Sequence, residues 1–406
     1  MSTSLPPILC LGFPTWEGEY QKSTVQLMQA LSAQQRVLYV EYPFTWKDAY
    51  QGLRHGNRPW RRILGQEARL RPMSNEGGAL HVLTLPPLLP INGLRAGNLY
   101  EKLARYNAAV ARRSIRRALR QLSYERPLLL TAFNPFLGTY LHGRLGEQKH
   151  FYYCYDEIGA ARWTYRHGPR LEQRLRQQVD GLITSSAPLL ADKGGDRPGL
   201  VLKNGANVAL FERAFVPEPS RSGPPTLGYL GSIDDRLDLH LLEQTLAAWP
   251  EAHLLMVGRV ADAAVGERLA RHPRIELAGA FGPEELPQWL KRMHLGLIPF
   301  VRNDFTRYIY PLKINEYLAA GLPVVSTPFG DLSDFAGVAR VEVGLRFAEA
   351  CQAAWQEDSA DLRRARRAFA RQQSWEGRAV QLAQWLSQAL TETPLSAPNL
   401  ASVAQP

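Results

Sequence analysis

The chain has 406 residues, which is too long for one ordinary core and favours two domains of about 150 to 200 residues each. Its composition, 45% hydrophobic and 21% charged, is that of a globular protein and excludes a disordered or fibrous one. No apolar run is long enough to span a membrane, no secretory signal is visible at the amino terminus, and the three cysteines lie too far apart for a disulfide framework. We therefore expect a cytoplasmic protein.

The positive charge is concentrated in the first part of the chain. Residues 1–150 hold 20 Lys and Arg against 9 Asp and Glu, whereas the remaining residues hold 28 against 29. These basic clusters are either solvated faces or, with the aromatic residues near the first of them, a surface that docks on an anionic membrane. No nucleic-acid-binding motif accompanies them, so no nucleic-acid partner is expected. The first cluster lies in a stretch expected to be loop-like and the second on a predicted helix: Arg54, Arg58, Arg61, Arg62, Arg69 and Arg71, and then Arg112, Arg113, Arg116, Arg117 and Arg120.

Short apolar runs alternate with helical patterns twice along the chain, which is typical of parallel α/β units. In the first half the predicted strands are residues 8–11, 37–41, 80–83, 128–132, 150–155, 181–184 and 200–202, with helices that include 23–32 and 99–122. In the second half the predicted strands are residues 226–230, 253–257, 274–277, 295–299 and 323–326. A Pro- and Ser-rich stretch, residues 215–226, separates the two series.

This pattern predicts an α/β protein with two Rossmann-like, doubly wound domains that face each other across a cleft. We expect an N-terminal acceptor-binding domain over residues 1–205, a linker over 206–225 and a nucleotide-sugar-binding domain over 226–375. A C-terminal helix over 376–390 should pack back on the first domain, and residues 391–406 are expected to form a disordered tail. Ligands bind at the carboxyl ends of the strands in such sheets, so the site should lie in the cleft.

The strongest local signal is the segment PLKINEYLAAGLPVVST, residues 311–327. Pro311 suits the start of a helix and Gly321 suits its end. A helix amino terminus attracts a diphosphate, and Lys313 adds a full positive charge there. Glu316 lies one turn further on the same side, where its carboxylate can accept hydrogen bonds from a ribose diol. From these residues alone, a surface ion pair between Lys313 and Glu316 is the alternative.

This segment resembles the donor-site motif of the family 4 (group 1) glycosyltransferases, P-x-K-x-x-E-Y-L-A-x-G-x-P-V-V, which is shared by related bacterial polysaccharide glycosyltransferases. The resemblance continues through residues 227–244, 254–259 and 277–300, and more weakly through 182–211. It covers residues 150–390 well and the first 150 loosely. It implies the GT-B fold, with the transfer of a sugar from a nucleotide diphosphate donor in which UDP is favoured over GDP.

The resemblance also implies roles for particular residues. Lys313 would contact the donor diphosphate, Glu316 the ribose hydroxyls, and the loop 231–236 the phosphates, with Arg236 as its cation. Arg259 would contact the base or the phosphates, or serve only as a surface residue. Tyr308 occupies a position at which the family commonly has a second glutamate, so the sugar-facing edge departs from the family pattern. The candidate donor-binding residues are Gly231, Ser232, Arg236, Arg259, Tyr308, Tyr310, Pro311, Leu312, Lys313 and Glu316.

The chain contains no Asp-x-Asp pair of the kind that holds Mn²⁺ or Mg²⁺ in GT-A transferases. No His/Cys cluster has the spacing of metal ligands either. We therefore expect no metal and no other cofactor, because Lys, Arg and helix N–H groups can neutralise the leaving diphosphate.

The first domain should hold the acceptor and the catalytic base. Asp156 and Glu157 follow a predicted strand, and Asp156 is the preferred general base, with capping of the next turn as its alternative role. The loop after the first strand should face the cleft, although core packing of its tryptophan is equally open. An Asp base suits inversion of the anomeric centre, whereas the family resemblance favours retention. The candidate acceptor contacts in this loop are Trp16, Glu17, Gln21 and Lys22.

Together these features predict a metal-independent hexosyltransferase of polysaccharide or glycoconjugate biosynthesis. Its acceptor would be a glycan or a lipid-linked saccharide at the cytoplasmic face of the inner membrane. A nucleotide-sugar epimerase on the same fold and a non-catalytic relative that acts as a binding partner are the alternatives. The basic first domain argues against the epimerase, and the presence of both Lys313 and Glu316 argues against the non-catalytic relative.

Overall fold

The computed structural model describes residues 5–17, 22–56, 58–73, 79–159 and 166–391. Their strands form two sheets, of eight and six strands. The first sheet contains β1 (Ile8–Leu11), β2 (Val37–Val40), β3 (Leu70–Met73), β4 (Leu80–Leu83), β5 (Leu128–Ala132), β6 (Lys149–Cys154), β7 (Gly181–Thr184) and β8 (Gly199–Val201). The second sheet contains β9 (Thr226–Leu230), β10 (His253–Val257), β11 (Ile275–Gly279), β12 (Leu295–Ile298), β13 (Val324–Ser326) and β14 (Arg340–Val341).

Helices cover both sheets, and none of those in the described ranges is long and apolar enough to cross a membrane. Those of the first half are α1 (Ser23–Leu31), α2 (Trp46–His55), α3 (Trp60–Leu64), α4 (Asn98–Gln121), α5 (Pro135–Leu141), α6 (Gly168–Gln178) and α7 (Ala187–Lys193). Those of the second half are α8 (Val208–Phe211), α9 (Leu239–Ala248), α10 (Ala263–Ala270), α11 (Leu286–Leu290), α12 (Leu312–Ala319), α13 (Leu345–Gln356), α14 (Ala360–Arg371) and α15 (Trp375–Thr391).

The first sheet has the strand order β3-β4-β2-β1-β5-β6-β7-β8, and its pairs are parallel except for β3, which runs antiparallel to β4 at the edge. The central strands are buried along their whole length, as expected of a parallel sheet with helices on both faces. Their side chains point alternately into two apolar clusters, one on each face: Leu9 and Leu11 lie in one, Ile8 and Cys10 in the other.

The second sheet is parallel throughout and has the order β11-β10-β9-β12-β13-β14. The chain then returns to the first domain in α15, whose side chains Trp375, Ala379, Leu382 and Leu386 lie in the same apolar cluster as β1 and β5. The backbone also joins the domains here, since the N–H of Ala206 donates to the carbonyl of Gln373 at 2.9 Å. The predicted fold class, two Rossmann-like α/β domains, is confirmed.

Two parts of the sequence prediction differ from the structure, and a third is not tested by it. The stretch around the first arginine cluster is not a loop, because Thr45 and Asp48 form a capping box that starts α2, and α3 and β3 follow. Strand β3 was not predicted because Arg71 and Pro72 interrupt its apolar pattern, and β14 was not predicted because it has only two residues. The predicted tail lies outside the described residues beyond Thr391.

Candidate active site

Two glycines form the floor of the site at the carboxyl ends of β9 and β10. Gly231 has φ +145° and Gly258 has φ +154°, which are backbone conformations that other residues rarely adopt. A Cβ atom on Gly258 would overlap the carbonyl oxygen of Gly231, and one on Gly231 would overlap Cε of Lys313 and come within 2.9 Å of its Nζ. The two turns are therefore packed so closely that the lysine side chain can cross directly over the Gly231 backbone.

Lys313 lies in the first turn of α12, which begins after Pro311. Its side chain is partly buried, and this burial lowers the pKa of its ammonium group below the usual value. That ammonium group makes no ion pair or hydrogen bond with any residue that the structure describes. Together with the helix amino terminus, it forms a positive position that is open to an anion.

Glu316 lies one turn after Lys313 and is 9% exposed. Burial raises the pKa of its carboxyl group to about 7, and the charge of Lys313 counters only part of this effect. Within the described ranges its carboxylate has no ion-pair partner, so the structure contains no surface pair between Lys313 and Glu316. A buried, unpaired carboxylate beside an unpaired lysine is costly unless a ligand joins them.

Arg236 provides a second cation at this site. Its guanidinium group donates to both carboxylate oxygens of Asp234, at 2.8 and 2.6 Å, and stacks over the ring of Phe300 at 5.4 Å. The backbone holds this loop against the sheet, since the N–H of Val301 donates to the carbonyl of Arg236 at 2.8 Å. These contacts orient the arginine toward the cleft, although part of its charge is already balanced by Asp234.

A cavity of about 320 Å³, the cleft cavity, joins the two domains in front of these residues. Its second-domain wall includes Arg236, Phe300 and Lys313, and its first-domain wall includes Tyr155 and Asp156. Burial raises the pKa of the Asp156 carboxyl group to about 6, while the charge of Arg236 acts to lower it. No partner for this carboxylate occurs among the described side chains. The structure thus brings the predicted base and the predicted diphosphate site to one cavity.

Glu157, the second catalytic candidate, lies in a different environment. Its carboxylate forms an ion pair with Lys193 at 3.0 Å and accepts a hydrogen bond from the N–H of Gly159 at 3.0 Å. Lys193 is itself tied to the buried Glu172 at 2.7 Å. Glu157 therefore belongs to a paired network behind the cleft, and Asp156 alone of the two carboxylates lines the cleft cavity.

The two tyrosines near the amino end of α12 differ in position. Tyr310 lines the cleft cavity and packs beside Lys203, which is paired with Asp334 at 2.6 Å. Tyr308 is buried against the first domain instead, where its hydroxyl donates to Asp192 and accepts from Arg307. Its carbonyl also accepts from the hydroxyl of Ser186 at 3.0 Å. This arrangement does not bring Tyr308 to the cavity with Lys313.

The remaining donor candidates lie around the same edge. Pro311 and Leu312 line the cleft cavity beside Lys313. Ser232 is partly buried in the turn after Gly231, and its carbonyl accepts from the hydroxyl of Tyr229 at 2.9 Å. Arg259 is exposed, and its carbonyl accepts a hydrogen bond from the N–H of Ile233. It is not among the residues that line this cavity.

Most acceptor candidates of the first domain form packing contacts, ion pairs or hydrogen bonds with other residues of the protein. Trp16 stacks edge-on against Tyr39 at 5.2 Å and packs on the core, which favours the core-packing alternative. Glu17 pairs with Arg62 and Arg71, while the ammonium group of Lys22 donates to the carbonyls of Thr15 and Glu17. Lys22 nevertheless lines the cleft cavity. Gln21 lies outside the described residues.

Asn204 is a cavity residue that the sequence did not single out. Its amide donates to the carbonyl of Tyr310 at 3.2 Å, and its buried side-chain oxygen has no hydrogen-bond partner in the structure as described. The only sequence signal is its place in the Lys203-Asn204-Gly205 segment near the end of the first domain. An unsatisfied acceptor at this position is available to a ligand in the cleft.

Known proteins resemble this chain in two ways, through its second domain and through its whole fold. The model of the family described as Glycosyl transferases group 1 matches residues 224–358. The putative teichuronic acid biosynthesis glycosyltransferase TuaH of Bacillus subtilis (strain 168) is 31% identical over 170 residues, which cover 38% of this chain and 42% of that protein. The chain therefore matches less than half the length of this curated relative.

Solved structures match over almost the whole chain. The α,α-trehalose 6-phosphate synthase of Burkholderia multivorans superposes with a TM-score of 0.62 at 13% identity, covering 95% of this chain and 98% of that one. HepE of Anabaena, solved in complex with UDP and glucose, superposes with a TM-score of 0.61 at 15% identity, covering 94% and 99%. The expected fold is confirmed, since the chain has the GT-B fold, and the expected resemblance to the group 1 glycosyl transferases is matched by the family model over residues 224–358.

Proposed function

We propose that this chain is a glycosyltransferase that moves a sugar from a UDP-linked donor to a saccharide acceptor. The observation that carries the proposal is a set of buried or partly buried charges that lack partners among the described residues: Lys313 and Asp156, which line the cleft cavity, and Glu316, one turn beyond Lys313 on α12. Their chemistry suits a diphosphate, a ribose diol and an acceptor hydroxyl, respectively. The complex of HepE with UDP and glucose supports a UDP-sugar donor, and the name of TuaH supports a role in polysaccharide biosynthesis.

The proposed reaction needs two kinds of assistance from the protein. Asp156 accepts the proton of the acceptor hydroxyl as its oxygen forms a bond to the anomeric carbon. Lys313, Arg236 and the amino terminus of α12 stabilise the negative charge that develops on UDP as the glycosidic bond to the nucleotide breaks. Because these groups supply positive charge directly, we propose that transfer requires no metal ion.

Thermal unfolding with nucleotides tests this proposal. UDP at about 100 times its dissociation constant should stabilise the protein by roughly 2.7 kcal/mol, and the stabilisation should persist in EDTA. GDP serves as the comparison for base preference. Failure of every nucleotide to stabilise the protein would contradict the proposed donor site, and stabilisation that disappears in EDTA would contradict metal independence.

We also propose that the enzyme works at the cytoplasmic membrane face, in peripheral contact with anionic lipids. On α2, Trp46, Tyr50 and Leu53 are 53%, 62% and 60% exposed and follow one another at i, i+4 and i+7, so they form one apolar stripe on the outer side of the helix. Three exposed arginines, Arg54, Arg58 and Arg61, flank the stripe, and each is worth on the order of 1 kcal/mol near an anionic lipid surface.

The other half of the first arginine cluster does not contribute to this surface. Arg62 and Arg71 are largely buried in ion pairs with Glu17 and Glu41, and Arg69 donates to the carbonyls of Arg62 and Ile63. The basic face proposed from the sequence is therefore reduced to its exposed arginines near α2 and those along α4.

Co-sedimentation with vesicles tests the membrane contact. We expect binding to vesicles that contain phosphatidylglycerol, weaker binding at high salt, and loss of binding in the double variant Trp46→Ala with Tyr50→Ala. Leu345→Ala, which removes a 71% exposed leucine of the second domain, is the matched control. Binding that is indifferent to lipid charge and to both aromatic residues would contradict the proposal.

A further inference from the structure

The first domain contains a second cavity, the acceptor-side cavity, of about 490 Å³. Pro14 and Lys22 line both this cavity and the cleft cavity. The ring of Phe133, which lines the acceptor-side cavity, stacks on that of Tyr155, which lines the cleft cavity, at 4.7 Å. The two cavities are thus neighbours separated by a single layer of side chains, on the same side of the cleft as Asp156.

The walls of the acceptor-side cavity are mainly apolar: Phe13, Tyr42, Leu88, Ile91, Phe136 and Ile158. Two buried side-chain amides also line it, but both already form hydrogen bonds within the protein. Asn107 exchanges hydrogen bonds with the backbone of Leu89 at 2.9 and 3.0 Å, and Asn134 donates to the carbonyl of Gly12 at 3.0 Å. The hydroxyl of Tyr100 and Nδ1 of His167 also belong to lining residues and have no described hydrogen-bond partner. The rest of the wall is mainly apolar, which favours an apolar occupant over a second sugar.

The backbone at Phe133 supports a binding role for this wall. Phe133 has φ +51°, an unfavourable conformation for a residue with a side chain, and it directly follows β5. Asn134 holds this conformation by accepting from the N–H of Leu137 at 3.2 Å while it donates to Gly12. Strain of this kind is maintained where the direction of a side chain matters, and here it directs an aromatic ring between the two cavities.

Positive charge lies at the border of the acceptor-side cavity. Arg58 and Arg166 are exposed residues that line it, and Lys22 lines it at the boundary with the cleft cavity. Thr45, which precedes α2, and Arg58, which follows it, both line the cavity, so the helix that carries the exposed apolar stripe flanks its border. An apolar chamber with cations beside it matches a molecule that joins an apolar chain to a phosphate.

We propose that the acceptor-side cavity binds the apolar chain of a lipid-linked acceptor, with the phosphate of that acceptor near Arg58. This inference rests on the proposed function and narrows it, because a free glycan has no group that would fill the cavity. A cavity of about 150 Å³ holds one benzene ring, so the acceptor-side cavity of about 490 Å³ accommodates roughly 15 to 20 carbon atoms of a chain. The remainder of a longer chain would extend toward the lipid surface beside α2.

Binding of farnesyl diphosphate, a chain of 15 carbons with a diphosphate, tests the proposal by titration calorimetry in the presence of saturating UDP. We expect it to bind at least tenfold more tightly than inorganic diphosphate. Asn92→Trp, which adds bulk from an exposed position in the cavity wall, should weaken farnesyl diphosphate at least tenfold and leave UDP binding within twofold. Phe136→Trp on α5 is a second occluding variant, and Asn98→Trp, an exposed position that does not line the cavity, is the matched control.

The results separate this proposal from the one on which it rests. Equal affinity for farnesyl diphosphate and inorganic diphosphate, with UDP bound normally, overturns the lipid site and leaves the proposed function intact. Unchanged farnesyl diphosphate affinity in both folded occluding variants overturns it as well, because the chain would then bind elsewhere. Absence of UDP binding overturns the proposed function, and the assignment of this cavity to an acceptor falls with it.

Discussion

The two walls of the cleft differ in how their charged groups are satisfied. In the second domain, neither Lys313 on the cleft wall nor Glu316 one turn beyond it has a partner among the residues described. In the first domain, the candidate residues Glu17, Lys22 and Glu157 all have partners within the protein. Asp156 is the exception on that side, since its carboxylate faces the cavity without one.

This difference separates groups that bind a ligand from groups that support the fold. Removing an unpaired charge from water costs free energy, and a protein that gained nothing from it would pair the charge or expose it. Unpaired, partly buried charges with shifted pKa values are therefore stronger candidates for function than paired charges of the same residue type. The comparison assigns functional roles to Lys313, Glu316 and Asp156, and a supporting role to Glu17.

The largest effect is expected at Asp156. Asp156→Asn should lower the rate of sugar transfer by about 10² to 10⁴, because the amide cannot accept the acceptor proton. UDP affinity should change less than twofold, since the residue lies on the opposite wall from Lys313. Turnover measured as UDP release, together with calorimetry of UDP binding, checks both parts. Full activity in this variant would remove Asp156 from the role of base.

The pH dependence of the same reaction provides a second measurement at Asp156. Its pKa is raised to about 6, and only the ionised carboxylate can act as a base. At saturating UDP-sugar and acceptor, the rate should therefore fall as the pH is lowered through about 6. Asp156→Asn should remove this fall in rate at low pH from the residual activity. If the rate of the variant still falls through the same pH range, the titrating group is not Asp156.

Lys313→Ala should have the next largest effect, and it acts on the other wall. Loss of a charge-assisted contact to a diphosphate costs about 1.5 to 3 kcal/mol, so UDP affinity should fall roughly 10- to 150-fold. Lys291→Ala, which removes an exposed lysine of the same domain, is the matched control and should leave the affinity unchanged. Equal small losses in both variants would show that Lys313 contributes only to the overall charge.

Glu316→Gln should make the protein without nucleotide more stable while it weakens UDP binding. In the unfolded chain the carboxyl ionises near its ordinary value of 4.5, but in the folded protein its pKa is about 7. At pH 8 the ionised, buried carboxylate of Glu316 therefore lowers the free energy of unfolding, and the neutral amide of the Glu316→Gln variant does not. The expected gain is roughly 1 to 3 kcal/mol in the free energy of unfolding.

The sign of this effect is testable because it depends on pH. Between pH 4.5 and 7 the unfolded state has lost the proton while the folded state keeps it, so the native protein loses stability as the pH rises. At pH 4 both states are protonated and the gain from Glu316→Gln should vanish. Chemical denaturation at pH 4 and pH 8 checks this. A variant that is less stable than the native protein at pH 8 would mean that the carboxylate stabilises the fold.

The sequence was most informative where a local rule determines structure. Strands β1, β4, β5, β7, β9 and β10 begin and end at the predicted residues, because buried parallel strands are continuous apolar runs between turn residues. The placement of Lys313 and Glu316 on one side of α12 likewise followed from helix geometry alone. In both cases the determining residues are neighbours in the sequence.

The sequence was least informative where contacts join distant segments. Glu17 is paired with Arg62 and Arg71, which lie 45 and 54 positions away, so nothing near Glu17 indicated that its charge was already balanced. Asp192 lies 116 positions from Tyr308, and their contact depends on how the two domains meet. The acceptor side of the cleft is built mainly from such contacts, which explains why its candidate residues were harder to identify than those of the donor side.

Tyr308→Phe should have the smallest effect and tests the boundary between the two walls. The change removes the hydroxyl that contacts Asp192 and Arg307, and loss of one such hydrogen bond should destabilise the protein by about 1 kcal/mol. UDP affinity should stay within twofold of the native value, because Tyr308 packs on the first domain instead of lining the cleft cavity. Thermal unfolding and calorimetry of UDP binding measure the two quantities on the same sample.

The opposite pattern would be equally informative about Tyr308. If Tyr308→Phe kept its stability but bound UDP or a UDP-sugar tenfold more weakly, the hydroxyl would have to leave Asp192 and contact the donor in the bound state. Asp192→Asn then distinguishes the two arrangements, since it weakens the same domain contact without removing the tyrosine hydroxyl. A loss of donor affinity in Tyr308→Phe that Asp192→Asn does not share would move Tyr308 to the donor wall, where the family pattern places a glutamate.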